Sequence, residues 1–305
     1  HIVIMAQKNS SFKASSKNND LFNRSLIRSR RERIAASFSD YDFLNREISE
    51  RLIDNLHDIK MSFETILSMN LCDDTIRSYF KDVFLINQNM AHKMLAGKYG
   101  KKVQADEDLF PYKNQCLELI ISCLTLHWIN DIPGSLIQIR RSLKPNGLFM
   151  GAVFGGETLF ELRASMLKAG IDIRGGATPH VSPFIDIRDA GTLMQRAGFS
   201  LPVISTERIT VNYTDAFSLM KELKNMGENN ALIKRFKGLT SKKFMFAVAE
   251  KYQQDYGNED GKVSATFDVI YMKGWAPHES QQQPLKPGTG KISLKVALGS
   301  KPKSL

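Results

Sequence analysis

The sequence predicts an α/β fold: a doubly wound, mainly parallel sheet with helical cap insertions after its fifth strand. Short apolar runs alternate with helix-spaced segments from residue 40 to residue 154, the order expected when helices cover both faces of a sheet. The run Leu117–Cys123 is apolar almost throughout, as a strand buried on both faces is. Turn residues, most clearly Lys144-Pro145-Asn146-Gly147, part the helices from the strands that follow them.

Residues 21–33 read as a basic helix leading into the fold. Ile48, Leu52, Ile53 and Leu56 recur at helical spacing, so 40–57 is expected to be an amphipathic helix. Thr65–Met69 is the first strand, followed by a helix over 73–80. The second strand is expected at 83–86, with a helix through Met90, Met94 and Leu95. A third strand at 103–105 ends at Asp106-Glu107, and Leu117–Cys123 is the fourth. A helix over 133–143 leads to the fifth strand at 148–154. Beyond Gly155 the pattern changes. A helix is expected over 157–168, and a loop over 175–184 carries Pro179 and Pro183. A further helix over 187–197 is stopped by Gly198. Segments 203–211 and 263–272 have strand character and flank a helical stretch over 216–256, so both should complete one edge of the sheet. The expected organisation is one domain over 21–284, with cap elements near 157–185 and 215–257, between basic tails at 1–20 and 285–305.

The 305 residues are 42% hydrophobic and 24% charged, globular values that exclude wholesale disorder. The net charge is +10, of which the first 33 residues carry +6 and the last 25 carry +5. The 247 residues between them therefore sum to −1, and nucleic acid is not an expected partner of the core. The first twenty residues, rich in Ser, Asn and Lys, are expected to be disordered; this leader also resembles a mitochondrial transit peptide. His1 opens the chain, and Met5 is a plausible initiator. Three cysteines (Cys72, Cys116, Cys123) without a CxxC pair speak against a disulfide scaffold or zinc finger. No apolar run approaches the ~20 residues of a spanning helix.

Three segments carry a family likeness: Asp106-Glu107-Asp108-Leu109-Phe110-Pro111-Tyr112, Leu126-His127-Trp128-Ile129-Asn130-Asp131 and Leu143-Lys144-Pro145-Asn146-Gly147. They resemble the second half of class I S-adenosylmethionine (SAM) methyltransferases, including the biotin-pathway malonyl-carrier-protein methyltransferases. Four further motifs are more specific. They are the nine residues from Gly155-Gly156-Glu157 to Arg163, the seven from Thr178-Pro179-His180 to Phe184, Asn258-Glu259-Asp260-Gly261, and Gly274-Trp275-Ala276-Pro277-His278-Glu279-Ser280-Gln281. These resemble the methyltransferase-like assembly factor 5 family of respiratory complex I and its bacterial relatives. The resemblance implies a complex I subunit as partner and arginine hydroxylation as the inherited activity. It also implies a bacterial cytoplasmic or mitochondrial matrix location, with membrane association arising through the partner. SAM-dependent methyl transfer and a non-catalytic chaperone role are the competing expectations.

The cofactor motifs of that superfamily are broken. After the first strand such proteins carry an acid and then three glycines, which let backbone amides approach the cofactor with no Cβ in the way. Here Ser68 stands at the acidic position, and Asn70, Cys72 and Asp74 stand at the glycines. Asn87, followed by Gln88, takes the place of the carboxylate that would accept from both ribose hydroxyls. Asp106 matches the family's acid near the adenine amino group, with Glu107 beside it. SAM is therefore expected to bind weakly or not at all. His127, after the fourth strand, and His180, in the proline-bounded loop, are the candidate catalytic residues. No metal site is expected from spacing, although the fold could still gather His127, His180 and a carboxylate. Trp275 and His278 are expected to pin the last segment, Gly155-Gly156 to turn the chain sharply, and Cys123 to be a small core residue.

Overall fold

The structure is a computed structural model that describes residues 20–282 apart from Ala177, so the expected disordered and basic tails lie outside the described residues. Eight α-helices are described: α1 (Arg24–Ile34), α2 (Phe43–His57), α3 (Asp73–Tyr79), α4 (Ile132–Ser142), α5 (Phe160–Arg174), α6 (Ile187–Arg196), α7 (Ala216–Met226) and α8 (Lys242–Tyr256). Seven strands accompany them: β1 (Thr65–Met69), β2 (Phe84–Asn89), β3 (Lys101–Gln104), β4 (Leu117–Cys123), β5 (Leu143–Phe154), β6 (Ser200–Tyr213) and β7 (Val263–Trp275). They form one sheet in the order β3-β2-β1-β4-β5-β7-β6. β7 runs antiparallel to both of its neighbours, β5 and β6.

The helices cover the sheet because their apolar stripes match its two faces. Leu44, Ile48, Leu52 and Leu56 of α2 join Phe244, Val248 and Tyr252 of α8 in one buried layer. Leu136 and Ile139 of α4 join Ala190 and Met194 of α6 in the other. Helix starts follow from short polar side chains at the cap: Asp131, Asp186, Asp215 and Ser241 accept backbone N–H groups of α4, α6, α7 and α8.

Several expected elements are corrected. The helical stretch over 216–256 is two helices, because Gly227 adopts φ +84° and ends α7. No α-helix runs through Met90; β2 continues to Asn89 and a short 3₁₀ turn, His92–Leu95, follows it. α5 begins at Phe160 instead of residue 157. Thr158 Oγ1 donates to Asp268 O at 2.9 Å and Leu159 N to Thr266 O at 2.7 Å, which holds residues 155–159 against β7. Pro145 and Gly147 do not end the run into a loop, since β5 takes them up across a register irregularity. β6 and β7 both exceed the expected strands, pairing from Ser200 to Tyr213.

The N-terminal segment is strapped over the carboxyl ends of the strands. Leu21 and Phe22 pair with residues 231–233, and Asn130 Oδ1 accepts from both Leu21 N and Phe22 N. Phe22 and Ile27 bury against Met90, Trp128, Ala231 and Leu232 in a third, small core.

Candidate functional site

A cleft of about 680 Å³ opens at the carboxyl ends of β1 and β2, where ligands enter such sheets. Residues 35–42, following α1, form its outer wall. Of the expected cofactor residues, Asn70, Cys72, Asp74 and Asn87 line this cleft, joined by Gln88 and Asn89. Ser68 lies buried behind them, its hydroxyl without a hydrogen-bond partner among the described residues. Asp106 and Glu107 are not part of the lining.

The turn after β1 keeps a glycine-like backbone with side chains added. Asn70 holds φ +64°, a left-handed conformation that glycine takes freely and asparagine tolerates. Its Nδ2 donates to Cys123 O at 3.1 Å, and its own carbonyl accepts from Asn45 Nδ2 at 2.9 Å. The Cys72 amide donates to Ser49 Oγ at 3.0 Å, and Lys98 Nζ donates to Leu71 O at 3.0 Å. Backbone groups that a glycine loop would turn toward a cofactor are thus bonded by the protein itself.

At β2 the strand end is Asn89, two residues past the expected position. Asn89 Oδ1 accepts from Ala91 N at 2.9 Å, while Asn87 Nδ2 donates to Tyr99 O at 2.5 Å. Neither side chain is an acid. Gln88 is 2% exposed, and both its amide atoms are buried without a hydrogen-bond partner among the described residues.

At β3 the acids are already engaged. The Arg24 guanidinium bonds Asp106 at 2.5 Å, contacts Glu107, and donates to Trp128 O at 3.1 Å. Asp108 lies 3.6 Å from Arg24, and Arg31 lies 3.6 Å from Glu107. Burial alone would lower the Arg24 pKa, but Glu107 and Asp106 outweigh it and hold the guanidinium charged, above its usual range. Asp108 titrates above the ordinary carboxylate range, through burial first, with Asp106 beside it adding to the rise. The turn after β1 thus carries side chains, the β2 strand ends in amides, and the β3 acid Asp106 is paired with Arg24.

His127 forms a second cluster with a residue that spacing did not reveal. Its Nε2 lies 3.0 Å from Glu228 Oε2, which also accepts from Trp128 Nε1 at 3.1 Å. The His127 ring packs on Phe154 and Phe184 at 4.9 and 5.8 Å, and its Nδ1 is buried without a partner among the described residues. Glu228 Oε1 makes no hydrogen bond among the described residues. Glu228 borders a recess of about 20 Å³, room for roughly one water, that shares Phe38, Asn45, Asn70 and Met94 with the cleft. The one sequence signal for Glu228 was its place directly after the helix-ending Gly227. Nothing in the spacing joined it to a histidine 101 residues earlier.

The structure places His180 apart from His127. Its ring stacks on Phe244 at 5.2 Å, its Nε2 meets Thr178 Oγ1 at 3.0 Å, and it lines neither the cleft nor the recess. Burial and then the nearby Arg174 charge hold its pKa below the usual histidine value. Cys123 is fully buried and its thiol is pushed up to about 12 by that burial. A Cβ on Gly155 would stand 2.5 Å from Asp268 Oδ2, so this glycine serves close packing against β7. Trp275 ends β7, and Gln281 donates to Ala276 O and Asn146 Oδ1 just beyond it, securing the last segment. Among the described residues no group of three or more His, Cys, Asp or Glu is placed to hold a metal ion.

Strand order, the antiparallel β7 and the cleft at the β1–β2 ends define a protein of the SAM-dependent methyltransferase fold. Residues 74–151 match the methyltransferase-domain family. Solved structures agree on the fold: the phosphoethanolamine N-methyltransferase 2 of Haemonchus contortus has a TM-score of 0.50 at 11% identity, covering 83% of this chain and 60% of its own. The YcgJ protein of Bacillus subtilis scores 0.50 at 10% identity over 74% of this chain and 98% of its own. The zebrafish (Danio rerio) mitochondrial arginine-hydroxylase NDUFAF5 is 37% identical over 286 residues, 90% of this chain and 88% of that protein. The Homo sapiens protein of that name is 38% identical over 262 residues, covering 83% and 76%. The chain belongs to the NDUFAF5 family. A malonyl-[acyl-carrier protein] O-methyltransferase of Methylovorus is more distant, 28% identical over 84% of this chain and 90% of its own.

Proposed function

We propose that this chain serves in complex I assembly, engaging an arginine of a complex I subunit for hydroxylation, with SAM bound weakly or not at all. The observation that carries this reading is Glu228. It is a nearly buried carboxylate whose Oε2 is fixed by His127 and Trp128, and it borders the recess beside the cleft. A carboxylate held this way is the natural complement of a guanidinium, which offers paired donors and no acceptor. The close relatives named arginine-hydroxylases support the same reading. Hydroxylation inserts one oxygen atom, so oxidant and electrons come from outside the chain. The residues seen here bind and orient the side chain, with His127 Nε2 held against Glu228. The location follows the partner, in the bacterial cytoplasm or the mitochondrial matrix.

A second reading, a chaperone without chemistry, draws on the Arg24 clamp over Asp106 and Glu107. Methyl transfer is disfavoured by the same contacts. Mass spectrometry of complex I subunits from cells with and without the gene separates the readings. An arginine heavier by one oxygen atom only when the gene is present supports hydroxylation. Stalled assembly with no such mass change supports the chaperone. Normal, active complex I in the deletion strain sinks both.

A further inference from the structure

The near-zero charge of the folded middle hides a local separation. From residue 229 to residue 249 the chain has five basic residues (Lys234, Arg235, Lys237, Lys242, Lys243) and no acid. Lys234, Lys237, Lys242 and Lys243 are exposed, and none has an ion-pair partner among the described residues. Large apolar side chains stand among them. Leu239, at the tip of the loop before α8, is 99% exposed; Phe246 is 65% exposed and Phe236 41%.

The base of this loop is braced. The Arg174 guanidinium, at the end of α5, lies over the Phe236 ring at 4.7 Å and the Phe244 ring at 4.1 Å. Phe246 meets Phe217 of α7 edge-on at 5.6 Å. Leu239 therefore protrudes from a stapled platform, with lysines before and after it. Its side chain contributes almost no packing to the fold, and leaving it in water forgoes the gain of burying it.

We propose that residues 234–243 together with Phe246 are a docking surface for an anionic lipid bilayer, with Leu239 entering the headgroup boundary. Charge complementarity favours a polyanion. The protruding leucine favours a bilayer over a protein surface, which would have to supply a matching pocket. Lysine stems reach along apolar surface while their ammonium groups remain at the phosphates. No helix among the described residues is long and apolar enough to cross a membrane, so contact is with the surface. This attachment is the chain's own, separate from any membrane contact made through its partner.

Sedimentation of the full chain with phosphatidylcholine vesicles, with and without phosphatidylglycerol, tests the proposal. Binding is expected only with phosphatidylglycerol, weakening as salt rises. Replacing both Lys242→Ala and Lys243→Ala should lower partitioning roughly thirtyfold, the equivalent of two charges at about 1 kcal/mol each. Leu239→Ser should lower it at least about tenfold with unchanged thermal unfolding, because the side chain is already exposed. The basic termini supply a background attraction common to all variants, so the proposal is read in the differences. Absence of binding to anionic vesicles overturns it, as does binding indifferent to Leu239 and the lysines. Vesicle-independent capture of an acidic peptide, or self-association, dependent on those residues would also overturn it, in favour of a protein occupant.

Discussion

Arg24→Met should be among the most damaging single substitutions in the chain. The Arg24 side chain is 8% exposed and bridges Asp106, Glu107 and Trp128 O. Glu107 is 1% exposed and loses most, because its remaining cation, Arg31, stands 3.6 Å away without a hydrogen bond. Asp106 is 29% exposed and recovers part of its hydration. Removing one partner of a buried pair costs about 3–5 kcal/mol, a large share of the ~5–15 kcal/mol that holds a typical native fold. Urea unfolding followed by tryptophan fluorescence is a suitable assay, since Trp128 packs directly against Phe22 of the same strap. The loss should be specific to the stranded charge. Glu107→Gln in the Arg24→Met background should recover stability, with a coupling of roughly 1–3 kcal/mol in the double-mutant cycle. A loss below ~1 kcal/mol, the scale of an exposed ion pair, would refute the claim that this clamp closes the strap. So would a cycle with no coupling.

SAM should bind with a dissociation constant above ~100 μM, weaker than about −5.5 kcal/mol, and saturation at low micromolar concentration in calorimetry would overturn that. Asn70→Gly, Cys72→Gly and Asp74→Gly together with Asn89→Asp should tighten it; Asn87→Asp should help less, because that amide already donates to Tyr99 O. Glu228→Ala leaves His127 Nε2 and Trp128 Nε1 without an acceptor, at roughly 1–3 kcal/mol each, whereas Glu228→Gln keeps one; equal melting temperatures for the two variants would contradict the arrangement. For His180 the folded pKa lies below the ordinary 6.5, so the unfolded chain binds more protons in that window. Its contribution is present above about pH 6.5 and lost as pH falls below it, and His180→Phe should lose less stability on acidification than the parent in melts recorded against pH.

The fold was legible because periodicity and turn chemistry are local. The fourth strand announced itself at Leu117–Cys123 through unbroken apolarity, and it is that strand. Limits between elements were less legible where tertiary contacts decide them. Helix α5 starts late because Thr158 and Leu159 bond β7, more than a hundred residues onward. The turn at residue 227 was present in the sequence as glycine, yet the surrounding helical spacing obscured it. At the cleft, Asn70, Cys72, Asp74 and Asn87, which the sequence placed after the first two strands, do line it.

The amino-acid sequence alone determined the class of fold and the family, because each rests on residue types at short, regular spacings. Only the tertiary structure paired His127 with Glu228, drew Arg24 onto Asp106 and Glu107, set His180 apart, and made Leu239 protrude among exposed lysines. These contacts join segments about 80 to 100 residues apart or depend on what remains uncovered after packing. Side-chain charge and exposure are settled by neighbours that arrive only when the sheet and its strap close, and no local pattern encodes them.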